Sequence, residues 1–384
     1  MDQEQKNRAR NSILGAFVAD AASLGFHWVY SQQRINELAP TNPEFRSPNA
    51  QDYDGGVGYF AHKNKKAGDL SQYGEQMLVM LWSLAENNGR YEKVKYTEQF
   101  RRHFGYGGDF VGYIDRPTRQ TLDRIYRDEH AAIEAVDAIA YDGPAKDQQS
   151  MLTKVLAAVK QYEGQGLRDR VEWYAAQMPN PHNSSVYGLA LVDALAASEE
   201  YPGAIDEQLP AISKLPPLVA CHLHDGNLDA LCESAIRVTN NAPRAVEYGQ
   251  VGRALLKSSL ENDSMDSALD AAVKAATDRI RAPLQQALDE TDSVRQVSKR
   301  FGLHCDLGVG VPSILHNLKT AHSFTDAIRA NIYAGGDNCG RATLLGAVAG
   351  AQFGRGSELG IPEAWLQQVN GIAELERTID EILI

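Results

Sequence analysis

Asp337, Asn338 and Cys339 follow the glycine pair Gly335–Gly336 and precede a segment built from Gly346, Ala347, Ala349, Gly350 and Ala351. Small residues at helical spacing let another backbone approach closely. The spacing therefore predicts a buried helix with the three polar side chains at its N-terminal end. Unpaired N–H groups and the helix dipole favour an anion there, a carboxylate or a thiolate. Two readings are open: a polar site at the mouth of an apolar helix, or an Asp337 or Asn338 N-cap with Cys339 as a small buried hydrophobe. Two more acids stand far away in sequence. Asp20 sits in the apolar stripe Ile13, Leu14, Phe17, Val18, Ala21 and Leu24, where a charge needs a partner, either for packing or to orient another group. Glu75 falls in the first turn of a helix predicted after Ser71 or Asp69, where negative charge is favoured.

The elements that must position these groups read as helices throughout. Apolar spacing predicts them over 6–24, from Ser71 to about residue 86, 92–104, Thr118–Arg127, 129–139, 150–164 and about Val186–Ala196. Further helices are expected at 204–213, 216–223, 227–238, 243–259, 264–288 with a break near Pro283, 291–300, 311–319, 324–333, 341–353 and 362–382. Sustained period-two alternation and hairpin signals are nearly absent, and no repeat of solenoid length is visible. The fold class is all-α, and no long linker divides 1–384, so a single compact multi-helix domain is expected. Residues 31–70 form a long irregular connection, of the kind often used as a binding loop or lid. Its glycines match no phosphate-binding fingerprint. Its aromatics Tyr53, Tyr59 and Phe60 are suited to surface packing or to stacking on a substrate ring.

Of the 384 residues, 43% are hydrophobic, enough for a substantial core. The formal charge of −12 argues against a general nucleic-acid or anionic-membrane surface, while leaving room for a phosphate-bearing small molecule in a local pocket. No apolar run reaches membrane-spanning length, and the N-terminus lacks a signal-peptide core. Cys221, Cys232, Cys305 and Cys339 show no CxxC spacing and read as free thiols of a cytoplasmic protein. Cys221-His222-Leu-His224-Asp225 and His304-Cys305-Asp306 lack the further donors a closed zinc site needs, so their histidines read as surface or packing residues.

Three stretches together resemble the ADP-ribosylglycohydrolase family, whose fold is all-α. Gly15-Ala-Phe-Val-Ala-Asp20-Ala21 is similar to its first motif, and Gly335-Gly-Asp337-Asn-Cys339-Gly340 with the following Gly/Ala-rich segment is similar to its last. Arg237-Val-Thr239-Asn240-Asn-Ala-Pro243 resembles its Thr-His-x-x-Pro stretch, with Asn240 in place of the histidine. The resemblance implies a pair of Mg²⁺ or Mn²⁺ ions held by threonine and aspartate oxygens, yet most of those ligands are missing. Where the family has Thr-Asp-Asp-Thr, this chain has Ser71-Gln-Tyr73-Gly-Glu75-Gln76, and Cys339 and Gly340 replace the ligands after Asp337. A thiolate is a poor ligand for Mg²⁺, so at most one ion on Glu75, Asp337 and waters is expected. Ser-x-Tyr-Gly-Glu-Gln with Gly-Gly-Asp-Asn-Cys resembles the branch of J-type crystallins and selenoprotein J, where the position of Cys339 implies a reactive thiol.

Three functions follow from the resemblance. The first is hydrolysis of a glycosidic bond to ribose in a small-molecule or ADP-ribosylated substrate. Glu75 and Asp337 would activate water or orient ribose, with Asp20 and Asn338 as hydrogen-bond partners. Tyr59, Tyr73, Gly335 and Gly336 would line the substrate. The second is Cys339-dependent chemistry in the same pocket. The third is a non-catalytic, crystallin-like structural or ligand-binding role, expected if Tyr73 and Met77 fill the cavity.

Overall fold

A computed structural model describes residues 1–127, 203–261 and 264–383. The helices expected at 129–139, 150–164 and Val186–Ala196 lie outside the described residues. Among the described residues the regular elements are helices, joined by a few isolated β-bridges. Among the described residues one apolar core gathers side chains from Ala9 near the start to Leu383 near the end.

Its axis is a pair of helices from opposite ends of the chain. Gln3–Ser23 starts from a capping box, Asp2 accepting from the Gln5 N–H while the Gln5 side chain accepts from the Asp2 N–H. It crosses Asn338–Phe353 with the backbones in contact. A Cβ on Gly346 would lie 2.3 Å from the Ala19 Cβ and 2.4 Å from the Gly15 carbonyl oxygen. A Cβ on Gly350 would lie 2.3 Å from the Asn11 carbonyl oxygen. The small-residue stripes read from the sequence are thus the two faces of one helix crossing.

A third helix, Gln72–Glu86, ends against this pair. Ser71 caps it, accepting from the Tyr73 N–H, and Gly74 is required because a Cβ there would lie 2.2 Å from Asp20 Oδ2. The end of the first helix and the starts of two others therefore meet at one place.

Several expected boundaries move. The 264–288 helix breaks at Ala276–Thr277 rather than at Pro283, which sits inside Asp278–Asp289, because Ala276 and Thr277 are extended and Asp278 begins a new first turn. The 362–382 segment divides into Glu363–Leu366 and Ile372–Ile382, separated by a turn whose Gly371 has φ +78°. The irregular 31–70 connection contains the helix Gln32–Leu38 and a short turn at Ala50–Tyr53. No described helix is long and apolar enough to cross a membrane.

Candidate functional site

Asp337 is the N-cap of its helix and is fully buried. Its position is fixed by the backbone around it. Gly335 and Gly336 have φ +74° and +65°, and a Cβ on Gly336 would lie 2.1 Å from the Leu303 carbonyl oxygen. The Gly336 N–H bonds to the Val29 carbonyl, the Trp28 N–H to the Gly336 carbonyl, and the Asp337 N–H to the Leu303 carbonyl, each at 2.8 Å. Both glycines are buried, so they shape the turn rather than line a surface. Arg341, also buried, closes it from behind by donating to the Gly335 carbonyl at 2.6 Å and to Asn331 Oδ1 at 2.8 Å.

Three donors converge on the Asp337 carboxylate. Tyr73 donates its hydroxyl to Oδ2 at 2.6 Å, and Oδ1 accepts from His27 Nε2 at 2.8 Å and from the Gly340 N–H at 3.1 Å. Burial, then the charge of Asp337, pushes the Tyr73 phenol well above its ordinary range, so it remains a donor. His27 Nδ1 lies 2.6 Å from His62 Nε2, and Tyr53 braces the pair by donating to the His27 carbonyl at 2.6 Å. The chain Tyr73–Asp337–His27–His62 therefore joins four segments that are remote in sequence. Trp28, held at φ +63°, packs its ring 4.9 Å from that of Tyr113 and 5.8 Å from that of Tyr59, and Trp28 and Tyr113 are each 6.4 Å from His62. Tyr59 is 58% exposed, whereas Tyr53 is buried against Phe60. Of the loop aromatics, Tyr59 is the one that reaches solvent beside the site.

Glu75 is held elsewhere. Lys65 Nζ lies 2.7 Å from its Oε1 and His103 Nε2 lies 3.0 Å from its Oε2. Burial alone would raise this carboxyl, but His103 and Lys65 outweigh it and hold it below its ordinary range. Glu75 and Asp337 have no partner in common among the described contacts. An ammonium and an imidazole on Glu75, and three donors on Asp337, leave these acids unfit to share a hard cation, which needs several free oxygen lone pairs. Among the described residues no group of three or more His, Cys, Asp or Glu side chains is arranged to hold a metal ion.

Asp20 accepts from the Ser71 N–H at 2.8 Å and the Ser71 hydroxyl at 2.5 Å, and burial raises its carboxyl to about 7. Cys339 is 0% exposed, with its sulfur 3.9 Å from the Asp20 carbonyl oxygen. Burial, followed by the charges of Asp20 and Asp337, pushes its thiol well above the ordinary range. A helix N-terminus by itself would lower it, so burial is the larger effect here. Asn338 is buried and donates to the Ser23 carbonyl at 3.2 Å. All four cysteines are free; Cys221 and Cys305 are half-buried, and burial, followed by the charge of Asp337, raises the Cys305 thiol above its ordinary range.

A second polar group stands along the same helix. Gln76 donates to Asp115 Oδ2 at 2.8 Å and Thr118 Oγ1 at 3.1 Å. Lys214, fully buried and pushed down to about 7 by that burial, donates to Thr239, which bonds to Asn240 Oδ1 at 2.7 Å. Asn240 continues to Asp206, which pairs with Arg116. The histidines beside Cys221 are structural. His222 accepts from the Tyr91 N–H at 3.2 Å and bonds to the Leu218 carbonyl at 3.0 Å, while His224 reaches Gln5.

The model of one protein family, ADP-ribosylglycohydrolase, matches residues 1–384. The chain belongs to the ADP-ribosylglycohydrolase family. Crystallin J1A of Tripedalia cystophora is 25% identical over 383 residues, covering 99% of this chain and 97% of that protein. Crystallin J1B of the same organism is 25% identical over 381 residues, covering 96% and 94%. A solved structure titled ADP-ribosylglycohydrolase-related protein complex aligns over 99% of this chain and 98% of its own, with a TM-score of 0.57 and 16% identity, a likeness of fold. The ADP-ribosylglycohydrolase fold is thus all-α here, as read from the sequence. Sequence reasoning did not assign His27, Trp28, Tyr113 or Lys214. The signal for His27 was a histidine just after the Asp20 helix, a short step from any group that helix helps to position.

Proposed function

We propose that this protein cleaves a glycosidic bond of an ADP-ribose-like or ADP-ribosylated substrate without a resident hard cation. The observation that carries this reading is the Asp337 carboxylate, kept at the family's acidic position but bonded to Tyr73, His27 and Gly340. Cleavage at ribose develops positive charge on the ring carbon, and preorganised carboxylates favour such a transition state. Asp337 supplies that field, while Trp28, Tyr59 and Tyr113 offer faces for a planar base. Partners would be small-molecule or ADP-ribosylated substrates, not nucleic acid or membrane, in keeping with the charge of −12 and with the four free thiols of a cytoplasmic protein. The test is release of free ADP-ribose from N- and O-linked ADP-ribosyl compounds, followed by chromatography with and without EDTA. Release that persists in EDTA and falls about 100-fold or more in Asp337→Asn is expected, an effect of the size seen when one preorganised electrostatic contact is removed. No release from any compound would overturn it.

A second reading is favoured by the two crystallin matches and by the complete burial of Tyr73 and Met77, with the Tyr73 hydroxyl already seated on Asp337. On that reading the chain binds a ligand or serves a structural role without turnover. Binding of ADP-ribose in calorimetry with no product in the release assay is its signature.

A further inference from the structure

His27 and His62 are buried imidazoles joined nitrogen to nitrogen, and the network around them assigns their protons. A carboxylate oxygen can only accept, so His27 Nε2 carries a hydrogen towards Asp337 Oδ1. In a neutral pair His27 Nδ1 is then an acceptor, and the proton between the rings belongs to His62 Nε2. That leaves His62 Nδ1 with a lone pair and no hydrogen bond among the described residues.

From this geometry we propose that His62 Nδ1 is the proton-accepting atom of the site, with Asp337 and His27 as the positioning residues that lock its tautomer. The proposal rests on the hydrolytic reading above and names the base for it. As water attacks the ribose carbon, the new C–O bond forms while the bond to the leaving group breaks with its electron pair. The proton of the water moves to His62 Nδ1 and passes from there to the leaving group or solvent. The groups facing His62 are His27 behind it, the Trp28 and Tyr113 rings beside it, and Lys65 from its own loop. Burial, and then the influence of His27 and Lys65, hold His62 well below its ordinary range, so the lone pair stays open near neutral pH. His222 provides an internal contrast, because its Nε2 accepts from the Tyr91 N–H and its Nδ1 faces the Leu218 carbonyl, fixing the opposite tautomer.

The experiment uses the full chain labelled with ¹⁵N-histidine, observed by long-range ¹H–¹⁵N correlation from pH 5.5 to 8.5, alone and with ADP-ribose. Expected is a neutral His62 protonated at Nε2, whose Nδ1 resonance moves on adding ADP-ribose while both nitrogens of His222 stay fixed. An Nδ1-protonated or charged His62 at pH 7, or a His62 Nδ1 that ignores ADP-ribose while Trp28 responds, would overturn the assignment. In the release assay His62→Gln and His62→Ala should lose about 10²–10⁴-fold in kcat with KM little changed, the range for a positioned general base. His27→Gln should lose less and alter the pH profile. Turnover retained in both folded His62 variants would sink the proposal alone. Absence of turnover in the wild type would sink the hydrolytic reading, and the resonance test would still decide whether His62 Nδ1 meets the ligand.

Discussion

Asp20→Asn isolates one buried charge and gives the pH dependence of stability a definite sign. The Asp20 carboxyl is fully buried, and burial raises it from 3.8 to about 7 against the lowering effect of the Ser71 hydrogen bonds. Between those values the folded protein keeps a proton that the unfolded chain has lost. The folded state is therefore relatively most stable below pH 3.8, and this contribution is lost as pH rises through the window towards 7. Each pH unit inside it removes about 1.4 kcal/mol, for about 4 kcal/mol in all. Asparagine keeps the shape: its oxygen can accept from the Ser71 N–H and its amide can donate to the Ser71 hydroxyl. It carries no charge to desolvate. Urea denaturation of both proteins from pH 4 to 8.5, followed by far-ultraviolet circular dichroism, should show the variant gaining on the wild type as pH rises, then a constant difference above about pH 7. A difference that stays flat over pH 4–8, or that shrinks with rising pH as for an acid held below its ordinary range, would refute the burial argument.

Lys214→Met should show the mirror image. Lys214 is lowered from 10.5 to about 7, so the wild type gains stability as pH rises from about 7 to 10.5, and the methionine variant should lack that rise in a denaturation series extended to pH 10.5. Gly346→Ala drives a Cβ to within 2.4 Å of backbone at the central helix crossing, so a loss of about 1–3 kcal/mol is expected by denaturation, whereas Gly226→Ala, with open space around it, should be near neutral. Tyr73→Phe removes a donor from a buried carboxylate and should cost about 1.5–3 kcal/mol, measured in the same way. Cys339, buried with its thiol raised, should resist a thiol reagent in the native protein and react only after unfolding, as read by peptide mapping; prompt native labelling would revive thiol chemistry at that position.

The helix crossing was legible because a stripe of small residues is a local signature with a single geometric use. Asp20 and Ser71 were legible as a partnered charge and a cap, though not as partners of each other. The site was harder to read, and the helix wheel explains one reason. Tyr73 and Glu75 are two residues apart, roughly 200° around the helix, so only one of them can face Asp337. The side facing it carries Tyr73, and Glu75 turns to Lys65 and His103. Cys339, two residues into its own helix, points back at the Asp20 carbonyl rather than out beside Asp337. The histidines were hidden for another reason: His27 reaches Asp337 across 310 positions, and His62 reaches His27 from an irregular loop without periodicity to read. A buried carboxylate at a helix start must be compensated by something, and a cation or a set of donors satisfies the same electrostatics. Here both oxygens of Asp337 already accept from protein donors. A phenol and an imidazole within hydrogen-bond reach supply the second, so the retention of Asp337 alone does not imply a metal. The residues at 27, 62 and 73 decide what the acid can do, and they are the positions at which to perturb it.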